Sequence, residues 1–339
     1  MLMKAIVQDR YGAPDEVLRV CDIERPTIGD QEVLVRVHAA SVHPDVWHVI
    51  TGQPYVMRLM GAGVRRPKIR VPGTDLAGIV ESVGESVTRF TPGDEVFGES
   101  HLGIQWMNGG AFAQYAAVPE DTLALKPNKV SFSQAASAPT SGIIALINLR
   151  DGELIKPGMR VLINGAGGNV GTVLVQLVKL AGAHVTGIER SAKFEMLRSF
   201  GADELIDYTQ QDFTRSGARY DLIIDVASTL SIDDCRRALA PAGQLVHIGN
   251  GHFGDAGGPL FGSLPGSLRL AVRSSFDPQL AKPYTRFQSK RHYMELLREL
   301  LESGRLTPVI DRSYPLSAVA DAIRYLVSGE HCGKIILTP

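Results

Sequence analysis

Gly165-Ala-Gly-Gly-Asn-Val-Gly171 follows an apolar run, Arg160-Val-Leu-Ile-Asn164, and opens another apolar segment. Glycines at 165, 168 and 171 between a strand and a helix form a pattern that binds a dinucleotide pyrophosphate. Gly165 permits the sharp turn. Gly168 lets a pyrophosphate approach backbone N–H groups at a helix N-terminus, and Gly171 lets the helix lie close to the sheet. Gly167, Asn169 and Val170 complete the loop; a turn that merely needs glycine is the bland alternative.

At the end of the next strand stands Glu189-Arg-Ser-Ala-Lys193, where an adenosine ribose is expected. A carboxylate at Glu189 accepts hydrogen bonds from both ribose hydroxyls and repels a 2′-phosphate, which favours NAD. Arg190, Ser191 and Lys193 offer a planar cation, a hydroxyl and a point charge, which suit a 2′-phosphate. Position alone leaves both cofactors open, as it does a solvated charged turn. Far upstream, Ser41-Val-His-Pro-Asp45 carries a histidine able to donate or shuttle a proton near neutral pH. Asp45 is either its acidic partner or a helix cap. Arg58, Arg65, Arg66, Lys68 and Arg70 form a basic cluster without an intervening acid, read as a solvated loop or as a funnel for an anion.

The elements that must position these residues change character along the chain. Up to about residue 125 short strands dominate. In Val33-Leu-Val-Arg-Val-His-Ala39, valines alternate with period two. Residues 78–84, 94–98 and 111–118 read as further strands set off by turn residues. From about Gly158 strand and helix alternate. Residues 170, 173, 174, 177, 178 and 181 place an apolar stripe on one helix face, and Gly182 stops that helix. Strands follow at 184–188, 204–206, 221–226 and 244–249. Helices are expected at 191–200 and from Ser231 until Pro241 ends it. This alternation predicts a doubly wound parallel sheet. Asp225-Val-Ala-Ser228 and His247-Ile-Gly-Asn250 end its fourth and fifth strands, so Ala227, Ile248 and Gly249 are expected near a nicotinamide. Residues 251–290 read as loop and short helix, followed by helices at 291–303 and 317–328 and a strand at 334–337.

A chain of 339 residues suggests two domains. With 35 basic and 36 acidic side chains, it has no global pull toward nucleic acid or an anionic membrane, so neither is an expected partner. Cys21, Cys235 and Cys332 lack C-x-x-C spacing, which argues against a disulfide framework or four-thiolate zinc and for a reducing compartment. No signal peptide or membrane span is legible, and a cytoplasmic location is the expectation.

In order along the chain, Ser41-Val-His-Pro-Asp45, Val71-Pro-Gly-Thr-Asp-Leu-Ala-Gly78, Thr91-Pro-Gly-Asp-Glu-Val-Phe97, Gly110-Ala-Phe-Ala-Gln-Tyr115, the glycine loop and Gly333-Lys-Ile-Ile336 resemble the medium-chain dehydrogenase/reductase superfamily, in its zinc-free quinone oxidoreductase branch. The resemblance implies an α/β fold: a GroES-like β-rich domain (1–125 and 290–339) and a Rossmann domain (126–289). It implies an NAD(P)H-dependent reductase of quinones, enones or similar α,β-unsaturated carbonyls, acting as a homodimer, with NADPH slightly favoured. The ligands of zinc-dependent relatives match here at His43, Thr74 and Thr140. Threonine is no zinc ligand, so no metal is expected. Tyr55 matches a tyrosine beside the nicotinamide and becomes, with His43 and Asp45, a catalytic candidate for polarising the carbonyl. Thr140, Tyr208, Gly333 and Lys334 join the cofactor-binding candidates. The competing readings are a zinc-free alcohol dehydrogenase and a dinucleotide-binding interaction protein without turnover. The loops at 101–110 and 251–290, expected to shape a substrate pocket, carry no diagnostic motif.

Overall fold

The computed structural model describes residues 1–103, 109–249, 258–282 and 284–339. Part of each of the two expected pocket-shaping loops, and Asn250, therefore lies outside the described residues. In chain order the strands are β1 (Leu2–Val7), β2 (Arg19–Glu24), β3 (Glu32–Val42), β4 (Asp75–Val83), β5 (Glu95–Glu99), β6 (Tyr115–Pro119) and β7 (Leu123–Leu125). Then come β8 (Arg160–Asn164), β9 (His184–Glu189), β10 (Glu204–Asp207), β11 (Tyr220–Asp225), β12 (Leu239–His247), β13 (Ile310–Pro315) and β14 (Lys334–Thr338).

Two compact units divide the chain. The first comprises Met1–Ile143 and Gln288–Pro339. Its main sheet runs β13-β14-β3-β4-β5-β7, with β6 also on β3 and a separate β1–β2 hairpin. Val33, Val35 and Val37 point into the core, as the period-two pattern requires. The helix Phe132–Ser137 packs on β3 and β4 in this unit, whereas a division at 125/126 assigns it to the other. Ser131 and Gln134 close its N-terminus as a reciprocal capping box. The helix Lys290–Glu302 buries Tyr293, Met294, Leu297, Leu300 and Leu301, a stripe of helical period. The expected strand at 111–118 is shorter: β6 begins at Tyr115, because Phe112 and Gln114 instead bond across to Ile6 and Lys4.

The second unit, Ile144–Phe287, is built on a parallel sheet in the order β10-β9-β8-β11-β12. Strand order reverses between β8 and β11, and ligands in such sheets bind beyond the strand C-termini at that point. The helix Gly171–Leu180 is buried along Gly171–Val178, around its whole circumference, so its apolar stripe is only part of its buried surface. One expectation is corrected here. The helix after Ser231 ends at Ala238, and Pro241 lies inside β12, beside the irregularity where the β11 register shifts. The short helix expected within 251–290 is Leu264–Ser274.

Candidate active site

The glycine loop leaves β8 at Asn164, and its four glycines differ in what surrounds them. Gly165 has φ +81°, a conformation that side chains resist, and its N–H donates to the Ile188 carbonyl at 3.2 Å. A Cβ on Gly171 would sit 2.1 Å from the Gly165 oxygen, so helix and loop touch backbone to backbone. A Cβ on Gly167 would meet Lys193 Cδ at 2.7 Å and Glu189 Oε2 at 2.8 Å. Only Gly168 is open: the nearest atom to its virtual Cβ is the Gly165 oxygen at 3.5 Å. The loop is thus closed beneath and open at Gly168, beside the first turn of the helix, where the Thr172 N–H already donates to the Gly168 carbonyl at 3.1 Å. A pyrophosphate fits here.

Glu189 is buried and already employed. Its carboxylate accepts from the Gly167 N–H at 3.1 Å and the Arg190 N–H at 3.0 Å, and Lys193 Nζ lies 3.5 Å away. Lys193 is likewise buried, so this pair clamps the glycine loop. Arg190 is exposed and its Nε donates to the Tyr208 hydroxyl at 2.7 Å, which brings these two cofactor candidates together. Sequence reasoning missed Asp207, whose carboxylate accepts from the Ser191 N–H at 3.0 Å. Hydrogen bonds from the Thr209 hydroxyl and amide, then from Ser191, hold its pKa down at about 2. Its place at the C-terminal end of the strand expected at 204–206, where such sheets bind ligands, was the available signal.

At the strand ends, buried Asp225 accepts from Asn164 Nδ2 at 2.7 Å and the Ser228 N–H at 2.8 Å, tying β8 to β11. Val226 and Ala227 N–H groups both donate to the Asn164 carbonyl. Ile248 and Gly249 follow β12, and a Cβ on Gly249 would lie 2.1 Å from the Val226 oxygen. A cavity of about 310 Å³ in this unit is lined by His247, Ile248, Gly249, Leu270, Ser274 and Tyr284.

In the first unit, His43 is buried with Nδ1 3.1 Å from Asp45 Oδ2, while its Nε2 has no hydrogen-bond partner among the described residues. Burial pushes the Asp45 pKa up, but His43, His48 and Lys334 outweigh it and hold the carboxyl below its usual range. Asp45 is also the first residue of the helix Asp45–Thr51. Its side chain makes no capping bond there, and it pairs with His43 instead. Tyr55 is 40% exposed, and the Arg58 guanidinium lies 4.5 Å from its ring centre and 4.2 Å from that of Tyr11.

Thr140, Gly333 and Lys334 are engaged by their own unit. Lys334 Nζ is buried on Asp75 Oδ2 at 2.9 Å and Ser41 Oγ at 3.1 Å. Gly333 has φ +79°, and a Cβ there would meet the Val309 carbonyl at 2.5 Å. The Thr140 hydroxyl touches both Asp75 Oδ1 and, at 2.8 Å, Glu99 Oε1, and Glu99 also pairs with Lys290. Burial raises the Glu99 pKa, Lys290 opposes, and Asp75 raises it further. This buried network drew on residues far apart in sequence and was not foreseen.

Zinc does not fit these residues. Thr140 is committed to two carboxylates, Thr74 offers no zinc ligand, and His43 alone cannot hold the ion. Among the described residues no group of three His, Cys, Asp or Glu side chains could hold a metal. Cys235 offers no thiolate, since burial, Asp225 and Asp234 push its pKa up to about 12.

Residues 29–128 match the family model of the alcohol dehydrogenase GroES-like domain, and 200–337 match that of the zinc-binding dehydrogenases. The NADPH-dependent alkenal/one oxidoreductase of Arabidopsis thaliana chloroplasts is 31% identical over 99% of this chain and 80% of its own. Human quinone oxidoreductase is 26% identical over 99% and 98%. The solved quinone oxidoreductase of Coxiella burnetii superposes over 100% of both chains at a TM-score of 0.81 and 26% identity. The chain belongs to the medium-chain dehydrogenase/reductase superfamily. Within it, the chain falls in the quinone oxidoreductase-like branch, and it is an oxidoreductase.

Proposed function

We propose that this protein reduces quinones, enones or similar activated carbonyls with NADPH, preferred over NADH, without zinc, as a cytoplasmic homodimer. The observation that carries the reading is the glycine loop, closed at Gly165, Gly167 and Gly171 and open at Gly168. The names of the Arabidopsis and human relatives supply the substrate class. A bound NAD(P)H supplies a hydride. The amides of the first turn of Gly171–Leu180 hold its pyrophosphate, and Arg190 and Ser191 meet the 2′-phosphate. Glu189 disfavours that phosphate less than a free carboxylate does, since its charge is spent on two amides and Lys193. Asp207 works in the other direction.

The Tyr55 hydroxyl, which makes no hydrogen bond among the described residues, donates to the substrate oxygen as negative charge develops there. His43, held through Nδ1 by Asp45, presents Nε2 as the second candidate for that proton. Among the described residues no helix is long and apolar enough to cross a membrane. The test is an NADPH titration followed by turnover on 9,10-phenanthrenequinone and a panel of enones. Binding with turnover supports the reading; binding without turnover on every member replaces it with a dinucleotide-binding interaction protein.

A further inference from the structure

The basic cluster in residues 58–70 has no acidic residue near it in sequence: none stands between Asp45 and Asp75. Two of its five cations are already used. Arg58 stacks on Tyr11 and Tyr55 and donates to the carbonyls of Thr51 and Gly52, and Arg70 pairs with Asp9 at 2.8 Å. Arg65, Arg66 and Lys68 are exposed and make no ion pair among the described residues. Beside them Leu59, Met60 and Val64 are 75%, 51% and 62% exposed. Three large apolar side chains and three uncommitted cations therefore share one outward excursion of the chain.

That excursion is fixed at its base. The Tyr11 hydroxyl donates to the carbonyls of Ala62 and Gly63, each at 2.8 Å. Gly63 N–H closes on the Arg58 carbonyl and Lys68 N–H on that of Ala62. A Cβ on Gly63, where φ is +110°, would lie 2.2 Å from the Arg66 oxygen, so the turn admits only glycine. Buried Gln8 holds the Ile69 carbonyl at 3.1 Å. The apolar side chains are thus displayed by a closed turn, and their exposure costs about the transfer free energy of each unless something covers them.

We propose that this turn docks the protein on the surface of an anionic lipid bilayer. Leu59, Met60 and Val64 enter the acyl boundary while Arg65, Arg66 and Lys68 meet headgroup phosphates, a division of labour that interfacial elements use. The charge balance of the whole chain does not oppose this, since a Debye length of about 8 Å makes the local patch decisive. A nucleic acid is the poorer occupant: single strands are bound through aromatic platforms along an extended basic track, whereas this turn offers aliphatic side chains and three cations.

The test is co-sedimentation of the full chain with vesicles of phosphatidylcholine alone and of phosphatidylcholine with one third phosphatidylglycerol. Binding is expected to the anionic vesicles only, and to be lost at about 1 M salt, where the Debye length is ~3 Å. Each cation near such a surface contributes about fivefold to partition, so R65Q/R66Q/K68Q should weaken binding by about 100-fold. L59S/M60S/V64S should weaken it by about tenfold or more. Both variants should keep the thermal midpoint and the turnover of a water-soluble quinone. Wild-type binding equal on both vesicles, or absent from both, overturns the proposal. So does an apolar triple variant that binds like wild type, or release by sodium phosphate beyond that by sodium chloride of equal ionic strength, which assigns the cations to a soluble anion.

Discussion

Replacing Gly168 by valine separates cofactor binding from folding, because the glycines of the loop have such different surroundings. The new Cβ would meet only the Gly165 oxygen, at 3.5 Å, an ordinary contact, and the backbone at Gly168 is not in the left-handed region. Folding stability should therefore change by no more than about 1 kcal/mol. The two γ-methyls, however, project into the open side by which a pyrophosphate reaches the helix amides. Losing two charge-assisted hydrogen bonds at about 1.5–3 kcal/mol each weakens NADPH binding by about 10²–10⁴-fold. Gly171→Ala is the contrasting control: its Cβ, 2.1 Å from a backbone oxygen, forces the helix off the loop and should lower stability as well. Fluorescence titration with NADPH and thermal melting of both variants provide the readout. A Gly168→Val protein that folds normally and binds NADPH with unchanged affinity refutes the placement of the cofactor.

Arg190→Ala should lower kcat/KM with NADPH roughly tenfold, a lower-end value because the side chain is exposed, and leave NADH nearly unaffected; equal losses with both would remove Arg190 from the 2′-phosphate site. Tyr55→Phe should reduce kcat by about 100-fold with a smaller change in KM, and an unchanged kcat would end the tyrosine's role as donor. Glu99 has its pKa raised above the ordinary 4.5, so the stability it contributes is complete below that pH and is lost as pH climbs through the raised value. Glu99→Gln, a permanent mimic of the protonated form, should therefore flatten the stability–pH curve on the alkaline side of 4.5, and urea titrations as steep in pH as wild type would contradict it.

What the sequence disclosed depended on whether the physics was local. The turn at Gly165 and the helix Gly171–Leu180 announce themselves through glycine spacing and helical period, and β3 through alternating valines. The helix Leu264–Ser274 does not, because Leu264, Leu268 and Val272 lie on its exposed face while Leu270 and Ser274 turn inward, so no apolar stripe marks its buried side. Pro241 signals an end to a helix, yet it is tolerated in β12 where the register is already broken. The least legible part is the network of Asp75, Glu99, Thr140, Lys290 and Lys334. Its members come from β4, β5, β14 and two helices, and only the folded sheet shows that Lys334 serves Asp75.

The central claim is hydride transfer from a nicotinamide to an activated carbonyl substrate without metal. Enzyme dialysed against a strong chelator, and checked for zinc by elemental analysis, can be given an enone and NADPH deuterated at the transferable C4 position. Full activity at well under one zinc per chain, with one deuterium on the β-carbon of the product, is the predicted result. Product without deuterium, or activity that returns only when zinc is added, would contradict the account.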